Sequence, residues 1–392
     1  MLFIPLYFLL KTGLVLSRQP KREVATAPVQ APAVEPLSVE KLDLAGSFYA
    51  PVEEAGSVAK PDDSGAREFI AAQNVFNSGN YAEAAALFRD LSARQNEALL
   101  GLGLSLYMLK DFKGAQKALE DYLREGKHPV ARKALAFIHY DADELEKAKK
   151  YAEEGLRQTE DADLRRLYER IQREEKGRGH SVSESTTHFT AVFDGYTQSS
   201  ISRLVLGVLE DAYSKVGSEV GYFPSEPVTV ILYGNKDFYE VTQKPDWAGG
   251  LYDGKIRVPV RGAETNKAAL KQILFHEYTH ALVHAITSEC PVWINEGLAE
   301  YFSRPYSSYN EASIGQVIPL RNLERSFLEV PGIPVETAYL ESYSAVKYLV
   351  GRYGMFKMKI FLEKLGTGTP LNTAFSDAFY QSYDEFVASW GK

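Results

Sequence analysis

The stretch Leu274–Thr287 reads LFHEYTHALVHAIT. It holds three of the chain's seven histidines, spaced four apart, in a run that otherwise looks buried. His276-Glu277-Tyr278-Thr279-His280 is an H-E-x-x-H pattern. On a helix, residues four apart lie one turn apart on one face, so both imidazoles can point at the same ion. Glu277, about 100° further round, can reach water beside that ion without displacing it.

Zinc hydrolysis needs a third protein ligand and a fourth position left open to water. His284 continues the same helix by one turn, but ligands on three successive turns span about 12 Å along the axis, too far for one ion. It is therefore expected to pack or to hydrogen-bond. A metzincin would carry Gly at 283 and His at 286; this chain has Val283 and Ile286, which excludes that class. The remaining candidate is PVWINEGLAEYF, Pro291–Phe302, where Glu296 and Glu300 lie four apart on a second helix opened near Pro291. Trp293, Ile294, Leu298, Tyr301 and Phe302 flank them, which a solvated helix face would not show. Glu296 is expected to supply the third ligand across the helix pair. Glu300 is expected to sit behind it and fix the orientation of a ligand imidazole.

HEYTH followed by WINEGLAEYF resembles the gluzincin metallopeptidases, in particular the peptidase MA-like group. The likeness runs over most of residues 186–392, through HFTAVFDGY, LYDGKIRVPV and SYSAVKYLVGRYG. It implies an α+β, thermolysin-like zinc peptidase domain, with His276, His280 and Glu296 on zinc, Glu277 as general base and acid, and Glu300 in support. Zinc would polarise the scissile carbonyl and acidify water. The developing oxyanion needs a further donor, for which Tyr343 is the first candidate and Tyr339 the second.

Upstream, the character is different. The start, MLFIPLYFLLKTGLVLS, is apolar apart from Lys11 and is followed by Arg18, Lys21 and Arg22. Residues 1–22 are expected to be an export signal or a membrane anchor, which places the protein in the cell envelope, on the periplasmic side in a bacterium. Residues 23–65 have the Ala/Pro/Val/Ser composition of a linker. From 66 to 178, apolar residues recur at helical spacing in three superposable segments. Tyr81, Phe112 and Leu145 lie 31 and 33 residues apart; Ala84, Ala115 and Ala148 follow three residues later, and Ala72, Gly103 and Ala136 precede by nine. This resembles tetratricopeptide repeats, whose period is about 34, and predicts an all-α repeat domain that binds a protein partner. Asp163–Glu175, charged on most faces, fits a closing helix.

Gly177–Glu184 (GRGHSVSE) is expected to break the helices. Strands are expected at Thr187–Phe193 and Val228–Tyr233, and helices at Ser199–Val216 and Leu270–Thr287. Pro259 demotes KIRVPV, Lys255–Val260, to an edge strand, against which substrate backbone would pair after the close-approach glycines Gly249 and Gly250. A net charge of −8 without a Lys/Arg block argues against nucleic acid. The one cysteine, Cys290, permits no intrachain disulfide and is expected to be a small buried residue. The reading is multidomain: a repeat domain joined to a zinc metallopeptidase acting on a peptide or protein. Its alternative is a peptidase-fold scaffold with weak or absent turnover, serving as an interaction or envelope assembly factor.

Overall fold

The computed structural model describes residues 64–124, 128–178, 181–194, 199–242, 250–260, 266–306, 318–324, 327 and 335–390. The apolar start and nearly all of the linker stretch lie outside them; Ser64 already begins a helix. No helix among the described residues is long and apolar enough to cross a membrane. The described chain divides between Lys176 and Gly177 into two compact units.

The first unit is built wholly of helices: α1 (Ser64–Asn77), α2 (Tyr81–Ser92), α3 (Glu97–Met108), α4 (Phe112–Leu123), α5 (Pro129–Asp141), α6 (Leu145–Leu156) and α7 (Ala162–Arg178). The sequence period reappears in the packing. Tyr81, Phe112 and Leu145 each open the second helix of a hairpin. Ala84, Ala115, Ala148, Ala72 and Ala136 are fully buried, and a Cβ on Gly103 would lie 2.6 Å from Leu119 Cγ. Small side chains are needed there because the paired helices touch. The inter-helix turns also repeat: Gly79, Lys110 and Asp143 all have positive φ (82°, 63° and 63°). Only glycine adopts that region without Cβ strain. Lys110→Gly is therefore expected to stabilise this unit by about 0.5–1 kcal/mol, read as a higher denaturation midpoint. An unchanged or lower midpoint would mean that the lysine side chain outweighs the strain.

The second unit carries a five-stranded mixed sheet in the order β1 (Ser181–Ser185), β2 (Phe189–Asp194), β3 (Val228–Tyr233), β5 (Ile256–Pro259), β4 (Leu251–Tyr252). β2, β3 and β5 run parallel, and β1 and β4 are antiparallel edges. Phe189, Ala191 and Phe193 alternate along β2, Val230 and Leu232 along β3, and Ile256 and Val258 along β5. They present one apolar face to α8 (Ser199–Val220), whose Val205, Leu206, Leu209, Ala212 and Val216 are buried. Ile231 and Tyr233, on the opposite face, pack with Phe238 and Val241 of α9 (Asn235–Thr242). Beyond the sheet come α10 (Lys267–Ile286), α11 (Val292–Ser303), α12 (Val335–Tyr353), α13 (Met355–Gly366), α14 (Leu371–Phe379) and α15 (Tyr383–Ser389).

Two expectations need correction. GRGHSVSE does more than break the helices, because Ser181–Ser185 pairs with β2. This strand is mostly exposed and polar, so it carries no apolar alternation to betray it. KIRVPV is not the edge strand either, since β5 lies between β3 and β4. Pro259 is tolerated because β4 is only two residues long and pairs with Ile256 and Arg257. Past Arg257 no strand among the described residues asks β5 for a further N–H on that side.

Candidate metal centre

α10 is apolar nearly all the way round, with Leu274, Tyr278 and Leu282 fully buried, as expected of a helix through the middle of a core. Asn266 caps it by accepting the Ala269 N–H at 3.0 Å. α11 is anchored from its other side. Trp293 is fully buried, donates its indole N–H to the Tyr383 hydroxyl at 3.0 Å and stacks on Tyr383 and Phe386. Gly297 then brings α12 close, since a Cβ there would lie 2.3 Å from the Ser342 carbonyl oxygen.

These three helices gather the expected residues. His276, His280 and Glu296 are buried, and one ligand atom from each falls within 4.8 Å of the others. His276 Nε2 is 3.4 Å and His280 Nε2 3.5 Å from the same oxygen, Glu296 Oε2. Among the described residues, neither His280 Nε2 nor Glu296 Oε2 makes a hydrogen bond. Buried polar atoms aimed at one point without hydrogen bonding need another partner. Tetrahedral ligands bonded at about 2.0–2.1 Å lie about 3.3 Å apart. The spacing and the N/O donor set therefore fit zinc.

The outer nitrogens are held as well. His280 Nδ1 donates to Asn295 Oδ1 at 3.1 Å, and His276 Nδ1 faces Glu300 Oε1 at 3.4 Å. Either contact fixes the ring so that the Nε2 lone pair points inward. Glu300 is shared with Arg304 at 3.5 Å. Burial opposes charge on His276, but Glu296 and Glu300 outweigh it and lift its pKa to about 10. Burial likewise opposes charge on Glu296, and the two histidines hold it down to about 2.

Glu277, next to His276 in the chain, is buried and lies within electrostatic reach of His276, His280 and Glu296. A Cβ on Gly250, the residue leading into β4, would lie 3.0 Å from both Cγ and Oε1 of Glu277, a tight contact that glycine avoids. Glu277 Oε2 has no hydrogen-bond partner among the described residues, and burial raises the pKa of the carboxyl. Gly249 lies outside the described residues.

The aromatic ring set against His276 is that of Tyr339, at 6.2 Å between centroids, backed edge-on by Phe327. Tyr343, one turn along α12, lies under the Arg304 guanidinium at 4.3 Å and lines an open groove of about 1020 Å³ with Phe275 and Tyr301. It meets the centre through Arg304 and Glu300. His284 hydrogen-bonds the Tyr252 hydroxyl through Nδ1 at 3.3 Å, as a residue outside the ligand set should. Cys290 is half-buried, and desolvation pushes its thiol pKa up, away from nucleophile chemistry.

The sequence reading missed Asn295, Arg304 and the contact of Gly250 with Glu277. Asn295 immediately precedes Glu296, and an amide there is the only local signal. The other two arise between elements distant in sequence. Loss of the Glu300 contact in Glu300→Ala is expected to weaken zinc binding about 10–100-fold in competition with a chromogenic chelator. An affinity equal to the parent's would show that Glu300 does not support His276.

Residues 208–390 match the family model described as the Peptidase MA superfamily. No curated protein matches the chain. The match supports a peptidase MA-like domain over that span, in a superfamily that is typically metal-dependent.

Proposed function

We propose, taking the peptidase MA-like domain as the premise, that the second unit is a zinc-dependent gluzincin peptidase, with His276, His280 and Glu296 as its zinc ligands. The observation that carries this is the convergence of three buried ligand atoms at 3.4 and 3.5 Å. When bound, zinc supplies a Lewis acid for the scissile carbonyl and makes water easier to ionise near neutral pH. Glu277 takes the proton of the attacking water on its unpartnered oxygen and returns it to the leaving amine. Its raised pKa suits a carboxyl that must do both. Asn295 and Glu300 hold the ligand rings. For the oxyanion, Tyr339 stands ahead of Tyr343, because its ring lies beside His276.

In this reading the helical hairpins are tetratricopeptide-like repeats that recruit a protein partner or substrate, and the protein works in the cell envelope. The closely packed small residues and the recurring positive-φ turns favour the repeat assignment.

The test is metal content and casein turnover of the chain as isolated, after chelation and after reloading with zinc. One equivalent of zinc, loss of turnover on chelation and recovery on reloading are expected. Turnover that survives complete metal removal would refute the reading. Zinc without turnover on casein or a peptide library would favour the scaffold alternative. Zinc binds deprotonated ligands, so its affinity is expected to rise with pH, and uptake to release protons. Titration calorimetry in buffers of different ionisation heat counts them.

A further inference from the structure

Three large aromatic side chains stand out of the second unit, one on α12, one on the first turn of α13 and one at the end of α14. Tyr380 is 72% exposed, Phe356 69% and Tyr348 44%. The Tyr353 ring lies 6.3 Å from that of Tyr380. Two cations are seated among these rings: Lys357 Nζ lies 4.7 Å over Tyr380, and the Arg352 guanidinium 5.5 Å over Tyr353. Neither cation has an ion pair among the described residues. The nearby carboxylates are engaged elsewhere, Glu363 with Lys359 at 3.4 Å and Asp377 with Lys364 at 2.7 Å. In a chain of net charge −8, this is a local excess of positive charge on an aromatic surface.

Tyr380 adds an independent observation. It ends α14 with φ 59° and ψ 23°, donating its N–H to Ser376 at 2.8 Å. That left-handed cap position is where helices use glycine. A tyrosine there strains the backbone and leaves most of a large ring exposed, with Lys357 and Tyr353 set against the rest of it. An external contact to the exposed part of the ring would offset that cost.

We infer that the face made by Tyr348, Arg352, Tyr353, Phe356, Lys357 and Tyr380 docks on the anionic headgroups of a lipid surface. Protruding aromatics beside cations fit the headgroup region, where an apolar ring sinks in while the charge stays among phosphates. Two cations give only weak, salt-sensitive attraction, so the face would act beside a second anchor. The apolar stretch Met1–Ser17, if it is the membrane anchor expected from the sequence, would be one.

The test uses the full chain carrying Phe356→Trp, with the parent's three tryptophans as the subtracted background. Vesicles of phosphatidylglycerol and phosphatidylcholine are compared with phosphatidylcholine alone, each with brominated acyl chains. On anionic vesicles the added indole should shift to the blue and be quenched, and 0.5 M salt should reverse both. Lys357→Glu and Arg352→Glu should each weaken partitioning by about fivefold or more. Tyr380→Gly should also weaken it several-fold while raising Tm, which separates lost contact from lost fold. The inference is overturned if the chain sediments with vesicles while the added indole stays unquenched. It is equally overturned by quenching that is as strong on neutral vesicles, or by self-association that Phe356→Ser abolishes.

Discussion

Glu277→Gln is expected to keep the parent's zinc content and to lower casein turnover by about 10²–10⁴-fold. The amide has the shape of the carboxylate, so the contact with Gly250 and the burial of the side chain survive. What is lost is the ability to take and return a proton. Metal binding should be untouched, because Glu277 is not among the three residues whose ligand atoms converge. Gly250→Ala offers a second approach to the same group. A methyl 3.0 Å from Cγ and Oε1 crowds the carboxylate by a few tenths of an ångström, so turnover should fall modestly while zinc stays bound. Loss of zinc in Glu277→Gln would place Glu277 in the ligand set, and undiminished turnover would move the base elsewhere.

Gly297→Ala is expected to destabilise the second unit by about 3 kcal/mol, lowering its Tm by roughly 6–12 °C. The new methyl would meet the Ser342 carbonyl oxygen at 2.3 Å and Val346 Cγ2 at 2.5 Å. The oxygen belongs to helix backbone and cannot turn away, so α11 and α12 must separate. α11 carries Glu296 and Glu300, and α12 carries Tyr339, so zinc affinity should fall with stability. The helical unit lacks this contact, and its transition should stay in place in calorimetry. A shift of the second unit below about 1 °C would show that the helix pair relaxes without strain.

Much of the centre is legible in the chain itself, because the helix repeat alone decides it. His276 and His280 share a face by being four apart, as do Glu296 and Glu300, and no distant residue can change that. The same local arithmetic marks β2, β3, α8, α10 and the recurring helical hairpins, whose apolar and small residues follow periods of two, 3.6 and just over thirty. What the tertiary structure decided lies between elements. β1 is a strand because β2 offers it a partner, although SVSES has no apolar face to announce it. β5 is interior because β4 folds back on it for two residues, and Pro259 is harmless because β4 stops there. Tyr339 and Tyr343 both lie on α12 within a turn of each other, and only the close approach at Gly297 sets Tyr339 beside His276 and Tyr343 under Arg304. Spacing along one helix fixes which residues share a face. Which face then meets which neighbour depends on how far apart the helices pack and how each is turned, and that is set by side chains such as Trp293 and by the side chain that Gly297 lacks.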